Sequence, residues 1–167
     1  PPISAFFGDT PTIEIMNMMG VDLDGLGNHN FDKGQEYLRE TLIPLADFHY
    51  LSANVIDPAT GDTPAEWSKS RTITLDGIKV GVIGFTNEDA PTLVFPNSFD
   101  PFVVTNATDA VNKRAAQLDK QTIGTIVAMG HLGATAGQAG RENVAGLLRR
   151  SGQRRIPRRR IEGEPLH

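Results

Sequence analysis

A chain of 167 residues with 39% hydrophobic and 22% charged content has the makeup of a globular domain with a sizeable core, not of a disordered or fibrous protein. It has no cysteine, which excludes disulfides and thiolate metal sites. The net charge of -4 hides two parts: residues 141–167 carry eight arginines against three glutamates, net +5, so the first 140 residues stand at -9. An acidic body is a poor surface for nucleic acid and attracts cations, although a merely solvated acidic surface explains it equally well. No run reaches the length of a membrane-spanning helix. The Pro1-Pro2 start, with no initiator Met and no signal-like segment, points to processing or to a piece of something longer.

In chain order, Ile3 to Phe7 is a short apolar run closed by Gly8 and Asp9. Thr10 before Pro11 and Glu14 reads as an N-cap with proline at the first helical position. Ile13, Met16 and Met19-Gly20 carry that helix to a glycine stop, with the methionines as core packing. Val21 to Leu26 reads as a strand that breaks at Gly27. A helix from Gln35 to about Ala46 follows, started by Asp32 or Lys33. Tyr37, Leu38, Leu42 and Leu45 form its buried face, and Pro44 loosens its last turn. Tyr50 to Val55 reads as the next strand, followed by a turn-rich stretch through Pro64.

Arg71 to Leu75 alternates polar and apolar residues, and Asp76-Gly77 is a two-residue hairpin signal. Ile78 to Phe85 is almost wholly apolar and predicts a strand buried on both faces. A proline-containing loop from Thr86 to Pro101 precedes a helix capped by Asn106 or Thr108 and running to about Asp119. Ile123 to Met129 predicts another buried strand, ending at Gly130-His131-Leu132-Gly133. Strands alternating with helices, plus one hairpin, indicate α/β with a largely parallel or mixed sheet. The pattern divides the chain into a domain over 1–137 and an Arg-rich tail over 138–167. The tail is expected to be unstructured apart from a short helix allowed at Arg141 to Arg150. It has no interleaved aromatic residue to stack on a base, so no nucleic-acid partner is expected.

Two strand ends carry histidine, at Gly27-Asn28-His29 and at Gly130-His131, and in a parallel sheet both emerge at one edge. Asn28 offers a carbonyl oxygen and His131 an imidazole nitrogen, both acceptable ligands for a divalent metal. His29 is three residues from Asp32, and the pair suits a general acid oriented by a carboxylate. Plainer roles stand beside these. The histidines could be ordinary satisfied polar residues, Asn28 could accept a left-handed turn, and Asp32 could cap the next helix. His49 and His167 have no comparable setting.

The run Gly27-Asn28-His29-Asn30-Phe31-Asp32 closely resembles the Gly-Asn-His-Glu-Phe-Asp signature of the calcineurin-like metallophosphoesterases. The likeness is greatest to the bacterial branch of 5'-nucleotidases, UDP-sugar hydrolases and 2',3'-cyclic-nucleotide phosphodiesterases. It extends over about residues 3–137, through the helix before the signature, the hairpin, and a His131-Leu132-Gly133 block similar to the family's own. The resemblance implies a partial metallophosphatase-type sandwich of mixed β-sheets flanked by helices. It implies a phosphoester hydrolase acting on a nucleotide or related ester, with water as the attacking group and two divalent ions, zinc or manganese or similar, as cofactors. Asn28 and His131 would be metal ligands, and His29 with Asp32 the catalytic pair. Proteins of this branch are typically periplasmic, extracellular or on the cell surface.

Three departures qualify that expectation. Asn30 stands where the signature has an acid, with no contact proposed for it. Asp9 sits in the turn before the first helix and is not taken as the bridging aspartate. The family's opening Asp-x-His, bridging Asp, late Gly-His-x-His and C-terminal nucleotide-binding domain have no counterpart here. Two neutral ligands are expected to hold metal weakly, so this chain alone is expected to be inactive. The alternative is a non-catalytic α/β remnant or a binding module.

Overall fold

The computed structural model describes residues 2–121 and 123–132; the Arg-rich stretch 138–167, with its possible helix, lies outside the described residues, as does Gly133. The opening apolar run folds as a helix, Pro2–Phe6 (α1), and leaves Ile3 and Phe6 exposed. Gly8 and Asp9 turn the chain with positive φ. Helix Thr10–Met18 (α2) therefore begins one residue earlier than expected: Asp9 is its cap residue, and the Thr10 hydroxyl donates back to the Phe7 carbonyl at 3.1 Å. At the other end Gly20 adopts φ 69°, and the Gly20 and Val21 amides bond back to Asn17 and Met16. That is the glycine stop the sequence predicts. Met16 packs on the core. Met18 and Met19 are 87% and 74% exposed and do not pack on the core as expected: Met18 lies round the helix from Met16, and Met19 is the C-cap residue, past the last helical turn.

Strand Leu23–Gly25 (β1) pairs parallel with His49–Leu51 (β2). The helix between them starts at Gln35, with Gly34 as its cap residue. It runs as Gln35–Tyr37 (α3), a wide π turn Leu38–Leu42, and Ile43–Leu45 (α4). The wide turn falls just before Pro44, whose missing N–H and bulky ring disfavour the regular bonding pattern. Leu38 and Leu42 are buried as predicted, in a core with Ile13, Leu26, Phe31, Phe48, Tyr50, Val55, Trp67, Phe99 and Phe102.

The predicted strand Tyr50 to Val55 is broken. β2 ends at Leu51, and Val55–Ile56 (β3) pairs instead with Val103–Val104 (β6), antiparallel. Ser52 and Asn54 fall in the gap, fully buried, and their side chains enter a hydrogen-bond network in place of a continuous ladder.

Ser70–Leu75 (β4) and Ile78–Thr86 (β5) form the hairpin, with Asp76 and Gly77 both at positive φ in its two-residue turn. β5 is buried only from Gly81 onward; Ile78 is 61% exposed because the hairpin end projects past its neighbours. Helix Ala107–Lys120 (α5) is capped by Asn106, whose side chain accepts from the Asp109 amide at 2.9 Å. Leu118 of α5 covers Gly81 so closely that a Cβ there would lie 2.8 Å from it. On the other face of β5, a Cβ at Gly84 would clash with the Leu51 backbone, and the Ala53 amide donates to the Gly84 carbonyl at the strand's edge at 2.8 Å.

Thr125–His131 (β7) lies parallel to β5, giving the mixed order β4-β5-β7. It was expected to be buried and is largely exposed, with Val127 at 46%. Among the described residues it is an edge strand, paired on one side only. An apolar run does not tell an edge from a centre.

Candidate active site at the β1 and β7 termini

The Leu26 amide continues the β1–β2 pairing by donating to the Leu51 carbonyl at 3.0 Å, and the chain then leaves the sheet at Gly27. Asn28–Phe31 is a single 3₁₀ turn. The Asn30 side-chain oxygen accepts from the Gly27 amide at 2.8 Å and so ties the turn to its own entrance. Asn30 thus has a contact where none was proposed, and as an amide it keeps the acceptor that an acid would supply. Phe31 is wholly buried, stacked on Phe99 at 3.8 Å between centroids and edge-on to Trp67. That anchor holds the turn with His29 on its outer side, 77% exposed.

His29 Nδ1 lies 2.9 Å from Asp32 Oδ2. Asp32 does not cap the next helix, a role that falls to Gly34. Nor is Asn28 in a left-handed turn, since the non-glycine residues with positive φ are Asp9, Asp76 and Asn97. The plainer readings of Asn28 and Asp32 are therefore removed, while that of His29 as a satisfied polar residue is compatible with its bond to Asp32. Asn28 is only 7% exposed, and its carboxamide has no hydrogen-bond partner among the described residues. Among the described residues the buried side-chain polar atom without a partner is the Tyr50 hydroxyl, so the Asn28 carboxamide reaches solvent at the sheet edge, where a ligand can meet it.

β7 carries His131 to the same edge. Its ring lies 6.5 Å from that of His29, edge-on at 87°. It also lies over Gly27, where a Cβ would come 2.6 Å from Nδ1. All four candidate residues therefore stand at one sheet edge. The donors are of the right chemistry for a divalent ion, but there are two of them. No group of three or more His, Cys, Asp or Glu able to hold a metal occurs among the described residues. Asn28 and His131 do not make a metal site by themselves.

Two further features escaped the sequence reading. Asp24, in β1, has its carboxyl pKa raised by burial, against lowering by a Gly25 backbone hydrogen bond and by His131. Its register partner Tyr50 has a buried hydroxyl without a partner among the described residues. Burial, and then the Asp24 charge, push that phenol further up. The second feature is the Ser52–Asn54–Thr86 network behind the site. Both rest on polar residues set among apolar ones in the sequence, Asp24 between Leu23 and Leu26, and Ser52 and Asn54 between Leu51 and Val55.

No family model matches the chain. Over 131 residues it is 30% identical to the snake venom 5'-nucleotidase of Gloydius brevicauda, covering 77% of this chain and 22% of that protein. A cell wall protein of Listeria monocytogenes is 27% identical over 148 residues, 79% of this chain and 19% of its own. Among solved structures, the NAD nucleotidase of Haemophilus influenzae matches with a TM-score of 0.69 and 25% identity, over 85% of this chain and 24% of that one. The chain spans about a fifth of the length of the curated relatives it matches. The fold over the described residues is that of the calcineurin-like phosphoesterases. Within that class, the matched residues belong to the 5'-nucleotidase family.

Proposed function

We propose that this chain supplies the leaving-group side of a phosphoester-hydrolysing site of the 5'-nucleotidase type, acting on a nucleotide or related phosphoester. The observation that carries this reading is the His29–Asp32 pair, bonded at 2.9 Å and open to solvent beside His131. Asp32 holds Nδ1–H and so leaves Nε2 of His29 to hand a proton to the departing oxygen. In that step water adds to phosphorus and the P–O ester bond breaks. The electron pair of that bond takes the proton from His29, so a neutral alcohol departs.

Asn28 and His131 are assigned as two of the ligands toward a pair of divalent ions such as zinc or manganese. Such ions, when bound with their remaining ligands, supply charge stabilisation at the phosphoryl oxygens. The relatives named as a venom enzyme and a cell wall protein support an exported or surface location.

The test is hydrolysis of a nucleoside monophosphate and of an aryl phosphate by the full-length gene product, stripped with chelator and resupplied with manganese or zinc. Hydrolysis restored by metal is expected. A folded full-length product that hydrolyses neither ester with any divalent ion overturns the proposal. That outcome would leave the second reading, a non-catalytic remnant or binding module.

A further inference from the structure

Thr86, the last residue of β5, is wholly buried and touches both arms of the candidate site. In the parallel ladder it is the register partner of His131. Its hydroxyl donates to the Leu26 carbonyl at 2.7 Å, one residue before Gly27 and two before Asn28. That single hydroxyl hydrogen is then spent, so in the 2.9 Å contact with Ser52 it is Ser52 that donates, its one hydrogen divided between Thr86 and Asn54 Oδ1 at 3.2 Å.

The Thr86 main chain is gripped as well. Its amide donates to Asn54 Oδ1 at 2.8 Å, and its carbonyl accepts from Asn54 Nδ2 at 2.8 Å. Asn54 spends its other amide hydrogen on the Thr105 carbonyl at 3.0 Å. Ser52, Asn54 and Thr86 are each fully buried, so these bonds operate without competing water.

We propose that Thr86 is a positioning residue, which sets how closely the Asn28 turn and His131 approach. The inference rests on reading Asn28 and His131 as a facing pair. β1 and β7 do not pair with each other. Thr86 therefore supplies a cross-link between their ends: through the ladder to His131, and through its hydroxyl to Leu26. With an apolar side chain there, the Leu26 carbonyl loses its partner, and the Gly27–Asn28 segment is free to drift from the His131 ring.

The experiment reads that approach directly, without metal or turnover. The His131 ring current shifts the Gly27 amide and α protons, and the size of the effect is the difference between this chain and its His131→Ala variant. Thr86→Val, of equal shape but without the hydroxyl, is expected to lose most of that shift. Thr86→Ser, which keeps the hydroxyl, is expected to restore it. Thr86→Ala serves the same purpose if the valine variant does not fold. A Gly27 shift unchanged in a folded variant lacking the hydroxyl overturns the proposal. Because the readout needs no ion and no substrate, failure of the phosphoesterase reading leaves it intact, and the two outcomes are separable.

Discussion

The His131 ring lies so close over Gly27 that a Cβ at that position would meet Nδ1 at 2.6 Å and Cγ at 2.7 Å. Gly27 has φ -120°, which any residue can adopt, so glycine is needed there for space and not for backbone freedom. The contact joins the end of β7 to the entrance of the Asn28 turn.

Gly27→Ala should therefore push the imidazole aside. His131 is exposed and able to yield, so the stability cost should fall at the low end of overpacking, about 1 kcal/mol. The effect on chemistry should be much larger, since a displacement of about 1 Å can cost roughly 100-fold in rate. Parallel measurement of Tm and kcat in the full-length gene product checks this; kcat within twofold of the parent would show that the contact does not matter.

His29→Ala removes an exposed side chain, and its surface pair with Asp32 contributes no more than about 1 kcal/mol. Turnover should nonetheless fall by about 10² to 10⁴, the range for a lost general acid, while substrate affinity changes little. Asp32→Asn should reproduce part of the loss. Steady-state kinetics on a nucleoside monophosphate separates kcat from KM, and unchanged turnover would remove His29 from the mechanism.

Phe31 is the structural counterpart of His29 in the same turn, wholly buried between Phe99 and Trp67. Phe31→Ala should cost about 3–5 kcal/mol through lost burial and the cavity left behind. Urea denaturation followed by far-UV circular dichroism gives the number. A loss below 1 kcal/mol would mean that the turn is not anchored through this ring.

These two neighbours show how unevenly the site could be read from sequence. Asn28, His29 and Asp32 lie within one short run, so their proximity was legible from spacing alone. His131 was legible only through the rule that parallel strands end at a common edge. Thr86 and Asn54 were not, because their role depends on partners 32 and 60 residues away. The strand predicted from Tyr50 to Val55 failed for the same reason: Ser52 and Asn54 bond across the fold through their side chains. The exposure of β7 was also hidden, since its apolar pattern does not record which neighbours it has.

Asp24 makes stability depend on pH. Burial raises its folded-state pKa above the unfolded value, so its contribution is fully present below the unfolded pKa and is lost as pH rises through the folded one. Asp24→Asn abolishes that loss while keeping an oxygen that can accept from the Gly25 amide. The Tm of the variant relative to the parent should therefore be higher at pH 7 than at pH 4. An equal difference at both pH values would show that Asp24 is not destabilised by its surroundings.

The most direct measurement is the response of the isotope-labelled chain to added Mn²⁺, whose unpaired electrons broaden nearby amide signals even when binding is weak. If Asn28 and His131 face one cation, their amides should broaden together at the lowest metal concentrations, and His131→Ala should abolish the effect at Asn28. Broadening that begins elsewhere and spares both residues would contradict the shared site.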